Sequence, residues 1–517
     1  MPLSFISMRA TGSGEQARRA AYAVLALAVG VRLIAAALVP LAPDETYYWE
    51  WSRRLAAGYL DHPPVIALVI RLGTMLLGAT PLGVRIGSVV AGAIASAVLV
   101  RAAGKLGGDR AMLRAAAMIA CMPLAQIGLS LATPDASLLL FWSLALAALV
   151  AALREQTSPC ARAVAWALTG LALGAALSAK YTALLLLASA GIALLAQPPL
   201  RHTLATRGPY IALAIALVVF APNLVWNARH GWTSFAYQLA HGLAVHRGSP
   251  LRHEMQLLGG QIALVSPLLL AALAIPVFSA LRRRDDPVRT TLAIISAVTW
   301  LAFAVSALRT AVEPNWQAPA YLSAIVLAAS YEGDERWRRL VRSACVLGGA
   351  MTLLIYAHTI IPIVPIDIAH DPTAAGFGWD TLATHVDVAR HAPYASSATA
   401  SEAWIGGERY QEASELAFHL NDHPLTVTID VHGRPNQYDL WPQFSQCART
   451  GDRLVLVLGL YTLPDNDPVI AALKPHFDTV ALREVVALRR GAVVRAWRRV
   501  WVLDGWRGSW PRTELAR

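Results

Sequence analysis

Residues 43–52 read Pro43-Asp44-Glu45-Thr46-Tyr47-Tyr48-Trp49-Glu50-Trp51-Ser52, and the loop they open closes on Leu60-Asp61-His62-Pro63-Pro64. The stretch follows an apolar run from about Ala20 to Leu41. Acids set among tyrosines and tryptophans directly after such a run mark a loop at a membrane–water boundary. There, amphipathic rings settle at headgroup level and carboxylates stay on the wet side.

The rest of the chain agrees with that reading. Of 517 residues, 56% are hydrophobic and 15% charged, with mean hydropathy +0.47. An average soluble domain carries about 25% charged residues. Apolar runs of roughly 17–25 residues recur, the length that crosses a bilayer as a helix. They begin near Ala20, Leu82, Leu113, Ala136, Ala163, Thr182, Pro209, Met255, Val288, Trp316 and Ser343, which predicts about eleven spans. Val65 to Gly78 is shorter, follows two prolines and contains Arg71. At about fourteen residues it is expected to lie at the interface.

With that segment on the surface, the basic loops alternate to one side. Arg101/Lys105/Arg110/Arg114, Arg154/Arg162, Arg201/Arg207, Arg282–Arg284 and Arg336–Arg342 all join Arg18 and Arg19, so the positive-inside rule makes them cytoplasmic. The net charge of +11 therefore needs no nucleic acid to explain it. The first run is long, carries Arg32 and leads into Pro-Asp, which favours an uncleaved anchor over a signal peptide. Arg32 either pairs with an acid or snorkels. No two of the four cysteines fall in one exported segment, so neither a disulfide nor a sulfur-based metal cluster is expected.

Past Pro362 the composition changes. Trp379–His391 and Arg409–Leu420 read as helices. Leu425–Val431, Leu454–Gly459 and segments between Val480 and Leu503 read as strands, with Pro, Asn and Asp turns between them. The expectation is a polytopic α-helical membrane domain over residues 1–364 and a soluble α/β domain over 365–517, the latter outside the cell membrane because the span count is odd.

The outer loops then hold the residues with chemistry. Asp44 and Glu45 follow Pro43, and Asp135 follows Thr133-Pro134. Asp44 and Asp135 are each also well placed to cap the helix that follows. Lys180-Tyr181 breaks an apolar run on the side that basic residues otherwise avoid, although a lysine there can snorkel to headgroups. His230, Arg309 and Glu313-Pro314-Asn315-Trp316 occupy further outer edges. Acids, a few cations and aromatics at one membrane face suit sugar transfer from a lipid phosphate. A base must take the acceptor proton, and cations or a metal must hold the departing phosphate. No glycine-rich phosphate loop and no HExxH pattern occurs, which disfavours ATPases and zinc proteases. Two readings from other classes compete: a lipid-linked-sugar flippase or transporter, and a non-catalytic envelope assembly protein.

Pro43-Asp44-Glu45-Thr46-Tyr47-Tyr48-Trp49, Asp61-His62-Pro63-Pro64, Gly83-Val84-Arg85-Ile86-Gly87-Ser88, Ala132-Thr133-Pro134-Asp135, Ser178-Ala179-Lys180-Tyr181-Thr182, Glu313-Pro314-Asn315-Trp316 and Arg434 to Pro442 together form a pattern. It resembles the GT-C-fold glycosyltransferases of the protein-mannosyltransferase-like group, in the bacterial branch related to the lipid A aminoarabinose transferase. The resemblance implies a polyprenyl-phosphate sugar donor, undecaprenyl phosphate in bacteria, and a periplasmic acceptor that is lipid A, another lipid, an envelope glycan or a protein. It also implies juxtamembrane helices in the first outer loop and transfer that usually inverts the anomeric centre. Asp44 is expected as base, with Glu45 and Asp135 as supporting acids. His62, Lys180, Tyr181 and Arg309 are expected at the donor phosphate. Tyr47, Tyr48, His230, Glu313, Asn315 and Trp316 are expected in the acceptor site or cavity. His62 replaces the lysine of the aminoarabinose branch, which leaves a divalent cation an open requirement, with Glu45, His62 and His230 as its candidate ligands.

Overall fold

The computed structural model describes residues 3–154, 156–243, 249–393, 403–429, 434–460 and 467–511. The chain divides into two compact units. One comprises Met1–Leu38 and Ala56–Ala357, the other Val39–Leu55 and His358–Arg517. The break near 357 falls a few residues before the expected 364. The segment that carries Asp44 packs with the C-terminal residues, which sequence order does not suggest.

The first unit is helical. Seven helices among the described residues are long and apolar enough to cross a membrane, or up to nine if each of two bent pairs is one span. The expected eleven differ for local reasons. The runs at Leu82 and Leu113 join in Pro81–Cys121, broken at Gly107 and at Gly108, whose φ of +73° a side chain would resist. The run at Met255 becomes Pro250–Val265 and Pro267–Arg283, bent by 99°. Ala318–Ala329 has only 12 residues. Proline starts most of these helices, where its missing N–H costs nothing.

Without a hydrophobic drive between helices in lipid, small residues let backbones approach. Cβ atoms added at Gly170 and Gly174 would lie 2.3 and 2.7 Å from the carbonyl oxygens of Ala212 and Ala216, so Pro159–Ala179 and Gly208–Arg229 touch along that edge. Val65–Leu77 forms the expected short helix. Ile66, Ala67, Ile70 and Gly73 are buried, whereas Leu72, Met75 and Leu76 are exposed.

The second unit is the expected α/β domain. Its five-stranded sheet has the order β2-β1-β3-β5-β4, with β1 Ala403–Gly407, β2 Thr426–Thr428, β3 Arg453–Gly459, β4 Phe477–Arg490 and β5 Val493–Trp506. β1 runs parallel to β2 and β3, while β5 is antiparallel to β3 and β4. β3 is buried along its whole length, as a central strand covered on both faces must be. One face packs Val455 and Val457 with Trp379, Leu382 and Val386 of the helix Trp379–Arg390. The other packs Leu454, Leu456 and Leu458 with Phe444, Phe477 and Trp501. The sequence reading found both helices and every strand except β1, whose short Ala-Trp-Ile-Gly-Gly run carries little alternation. Residues 430 and 431 of the expected strand Leu425–Val431 lie outside the described residues.

Candidate active site

In the α/β unit the site is built on the helix Pro43–Arg53. Ala42 is its N-cap, and the carboxylate of Glu45, three residues on, accepts the Ala42 N–H at 2.9 Å. Glu45 therefore does the capping. Asp44, expected as a possible cap itself, sits in the first turn with its side chain spared for other work. The helix is clamped along its length. Thr46 Oγ1 lies 3.0 Å from Ser414 Oγ, the Tyr47 hydroxyl accepts the Gln437 N–H, and Trp49 stands edge-on to Phe418 at 5.1 Å. Arg53 donates to the carbonyls of His423 and Pro424, and the Arg54 guanidinium lies 4.1 Å from the Trp441 ring centre. Tyr47 and Tyr48, expected near a substrate, are buried in this packing.

Asp44 itself is exposed, and its Oδ1 accepts a hydrogen bond from the Tyr410 hydroxyl at 3.0 Å. The protein crowded around the carboxyl raises it above the ordinary carboxylate range. The Tyr410 hydrogen bond and the Arg434 charge pull it back, and Glu45 adds to the rise. Because the group keeps contact with solvent, it is a crowded carboxylate and not a sealed one.

In the helical unit, Asp135 opens the helix Pro134–Leu153 and Lys180 ends Pro159–Ala179 in extended backbone. Their side chains pair at 2.7 Å, both nearly buried. Asn315 Nδ2 donates to the other oxygen of Asp135 at 3.0 Å, and Lys180 Nζ lies 5.9 Å from the Trp316 ring centre. Asp135, Lys180, Asn315 and Trp316 thus come together. Tyr181 turns instead to a polar knot, with its hydroxyl 3.2 Å from Asn223 Oδ1, 2.9 Å from Ser234 Oγ and 3.3 Å from Asn227 Nδ2.

His230 is exposed at the end of Gly208–Arg229. It stacks on Trp226, and its Nδ1 lies 2.8 Å from the Trp226 carbonyl oxygen. His62 is half-buried, and its carbonyl accepts the Tyr59 N–H at 3.1 Å. Arg309 and Glu313 are exposed, the latter heading the short turn Pro314–Gln317. No group of three or more His, Cys, Asp or Glu that could hold a metal ion occurs among the described residues, and Glu45, His62 and His230 were the three candidate ligands. Glu45 is already engaged in capping, which accounts for one of the three. Tyr410 and Asn223 were not foreseen. A tyrosine beyond position 400 and an asparagine inside an apolar run carry no local mark of what they meet.

These features coincide with recorded relatives. Residues 61–226 match the family described as dolichyl-phosphate-mannose-protein mannosyltransferase. The lipid A galacturonosyltransferase RgtD of Rhizobium johnstonii is 30% identical over 323 residues, which cover 62% of this chain and 66% of that protein's length. The crystal structure of ArnT from Cupriavidus metallidurans in the apo state superposes with a TM-score of 0.63 at 17% identity, covering 93% of this chain and 97% of ArnT. The undecaprenyl-phosphate-bound form of ArnT gives 0.62 at 17% identity, covering 96% and 98%. The fold is therefore GT-C, and the chain is similar in sequence to the protein-mannosyltransferase family over residues 61–226 and to RgtD over 323 residues.

Proposed function

We propose that this protein is an inner-membrane glycosyltransferase that moves a sugar from a polyprenyl phosphate to lipid A. The donor lipid in this reading is undecaprenyl phosphate. The basic loops face the cytoplasm, and residues 365–517 form a periplasmic domain. The kinship with a lipid A galacturonosyltransferase supports the acceptor class.

The observation that carries the reading is the buried Lys180 ammonium, held by Asp135 with Asn315 beside it. A cation fixed in advance stabilises charge that develops during reaction, without reorganising as water would. Asp44 takes the proton of the acceptor hydroxyl. The acceptor oxygen then forms a bond to the anomeric carbon while the bond from that carbon to the phosphate oxygen breaks. The proton ends on Asp44, and the polyprenyl phosphate leaves with one more negative charge, which Lys180 receives. Asp135, with both oxygens engaged, acts as the holder of Lys180. His62 and Arg309 serve as further phosphate contacts. A divalent cation, where one is used, would add to that charge stabilisation.

Purified protein in nanodiscs, given polyprenyl-phosphate sugars and lipid A, is expected to yield lipid A heavier by one sugar by mass spectrometry. Asp44→Asn is expected to insert and fold normally yet lose at least about a hundredfold in turnover, the lower range for a general base. Near-normal turnover in that variant would remove Asp44 from its role. Donor carried across vesicles unchanged, with no product, would make the protein a transporter.

A further inference from the structure

We propose that Tyr410 is a positioning residue that orients the Asp44 carboxylate for proton abstraction, so that the α/β unit takes part in the reaction through a side chain 366 positions along the chain. This inference rests on the reading of Asp44 as base.

The geometry is a two-point clamp. The Tyr410 hydroxyl donates to Oδ1 of Asp44 at 3.0 Å. The Tyr410 ring lies 4.3 Å from the ring of Tyr47, which stands three residues after Asp44 and so on the same face of the helix. The ring is held from further sides as well. The Arg434 guanidinium lies 5.8 Å from its centre, and Tyr410 is the first residue of Tyr410–His419, where the backbone is set by the helix. A carboxylate anchored through one oxygen cannot turn freely about its Cβ–Cγ bond. Oδ2 is then presented in one direction, and a proton acceptor needs that fixed direction at hydrogen-bond range.

The same contact acts on charge. A hydrogen bond to the ionised carboxylate favours the ionised form, and so does the nearby Arg434. Both oppose the crowding that would otherwise keep the base protonated. Tyr410 thus holds Asp44 in place and also ready to accept a proton.

Tyr410→Phe keeps the ring and removes only the hydroxyl. In the full-length enzyme in nanodiscs, the acid limb of the kcat–pH profile is expected to move up by about one pH unit, the scale of one hydrogen bond to a charged group. On that limb kcat falls about tenfold, and at alkaline pH it recovers only in part, because the ionised carboxylate is still unanchored, while KM for the donor is unchanged. Arg434→Gln should move the limb the same way by less. An unshifted profile in Tyr410→Phe, or a loss equal at every pH with a lowered unfolding midpoint, would overturn the positioning role and leave Asp44 as base intact. Asp44→Asn with normal turnover would instead overturn the underlying reading.

Discussion

Lys180 Nζ lies 2.7 Å from Asp135 Oδ1, joining the end of one helix to the start of another across 45 positions. Neither residue is explained by its own segment. A lysine at a helix end in an outer loop can point to headgroups, and an acid in a first turn can serve the helix dipole. Brought together and nearly buried, they stabilise each other's charge, because either alone would carry an uncompensated desolvation cost.

That pairing gives the first prediction. Asp135→Asn leaves the ammonium buried without its counter-charge, and should cost about 3–5 kcal/mol in stability along with transfer activity. The double variant Asp135→Asn/Lys180→Met should regain much of the stability and none of the activity. Thermal unfolding and lipid A mass spectrometry on the same preparations read both. An Asp135→Asn protein that melts like wild type would mean the pair contributes nothing.

Glu415 sets a pH dependence. It is fully buried, with His419 Nε2 3.2 Å from its Oε2, and burial pushes its carboxyl up to about 7 from an ordinary 4.5. A group whose proton is held more tightly in the folded state adds stability at low pH. That stability is lost as pH rises from about 4.5 through about 7. The expected loss from this one group is roughly 1–3 kcal/mol, and Glu415→Gln should flatten the curve of unfolding midpoint against pH. Superimposable curves for the two proteins would exclude the effect.

Gly376 governs how the segment that leads into Asp44 seats. A Cβ there would lie 2.3 Å from the Leu41 carbonyl oxygen and 3.1 Å from that of Pro40, just ahead of Asp44. Gly376→Ala should therefore displace residues 40–44. The expected cost is on the order of 1–3 kcal/mol, as for other overpacked sites. Turnover should fall further than stability alone explains, since a small misplacement of a base is expensive in rate. Unchanged kcat with a lowered unfolding midpoint would uncouple this contact from the site.

Parts of the site were legible before any coordinates. Asp135, Lys180, Asn315 and Trp316 stood out as polar residues at the edges of apolar runs, and edges on one side of a membrane are drawn together by the helices behind them. Asp44 stood out by its company of acids and aromatics. Its neighbour Glu45 did not reveal its use, because either acid could close the first turn. The choice depended on which carboxylate curls back to Ala42. Tyr47 and Tyr48 looked like cavity residues for the same reason that makes them good packing residues: large rings with a polar tip.

Hydrophobic run length alone established a multi-span helical protein, since a bilayer admits few other solutions for an apolar chain. Alternating patterns after Pro362 established a separate α/β fold, since a period of two and a period near four bury different faces. Only the tertiary structure decided that residues 39–55, early in the chain, fold with residues 358–517 and receive Tyr410 against Asp44. A contact across hundreds of residues leaves no trace in local periodicity. It arises when a helix with buried Thr46, Tyr47 and Trp49 finds, in a distant part of the chain, the surface that satisfies all three.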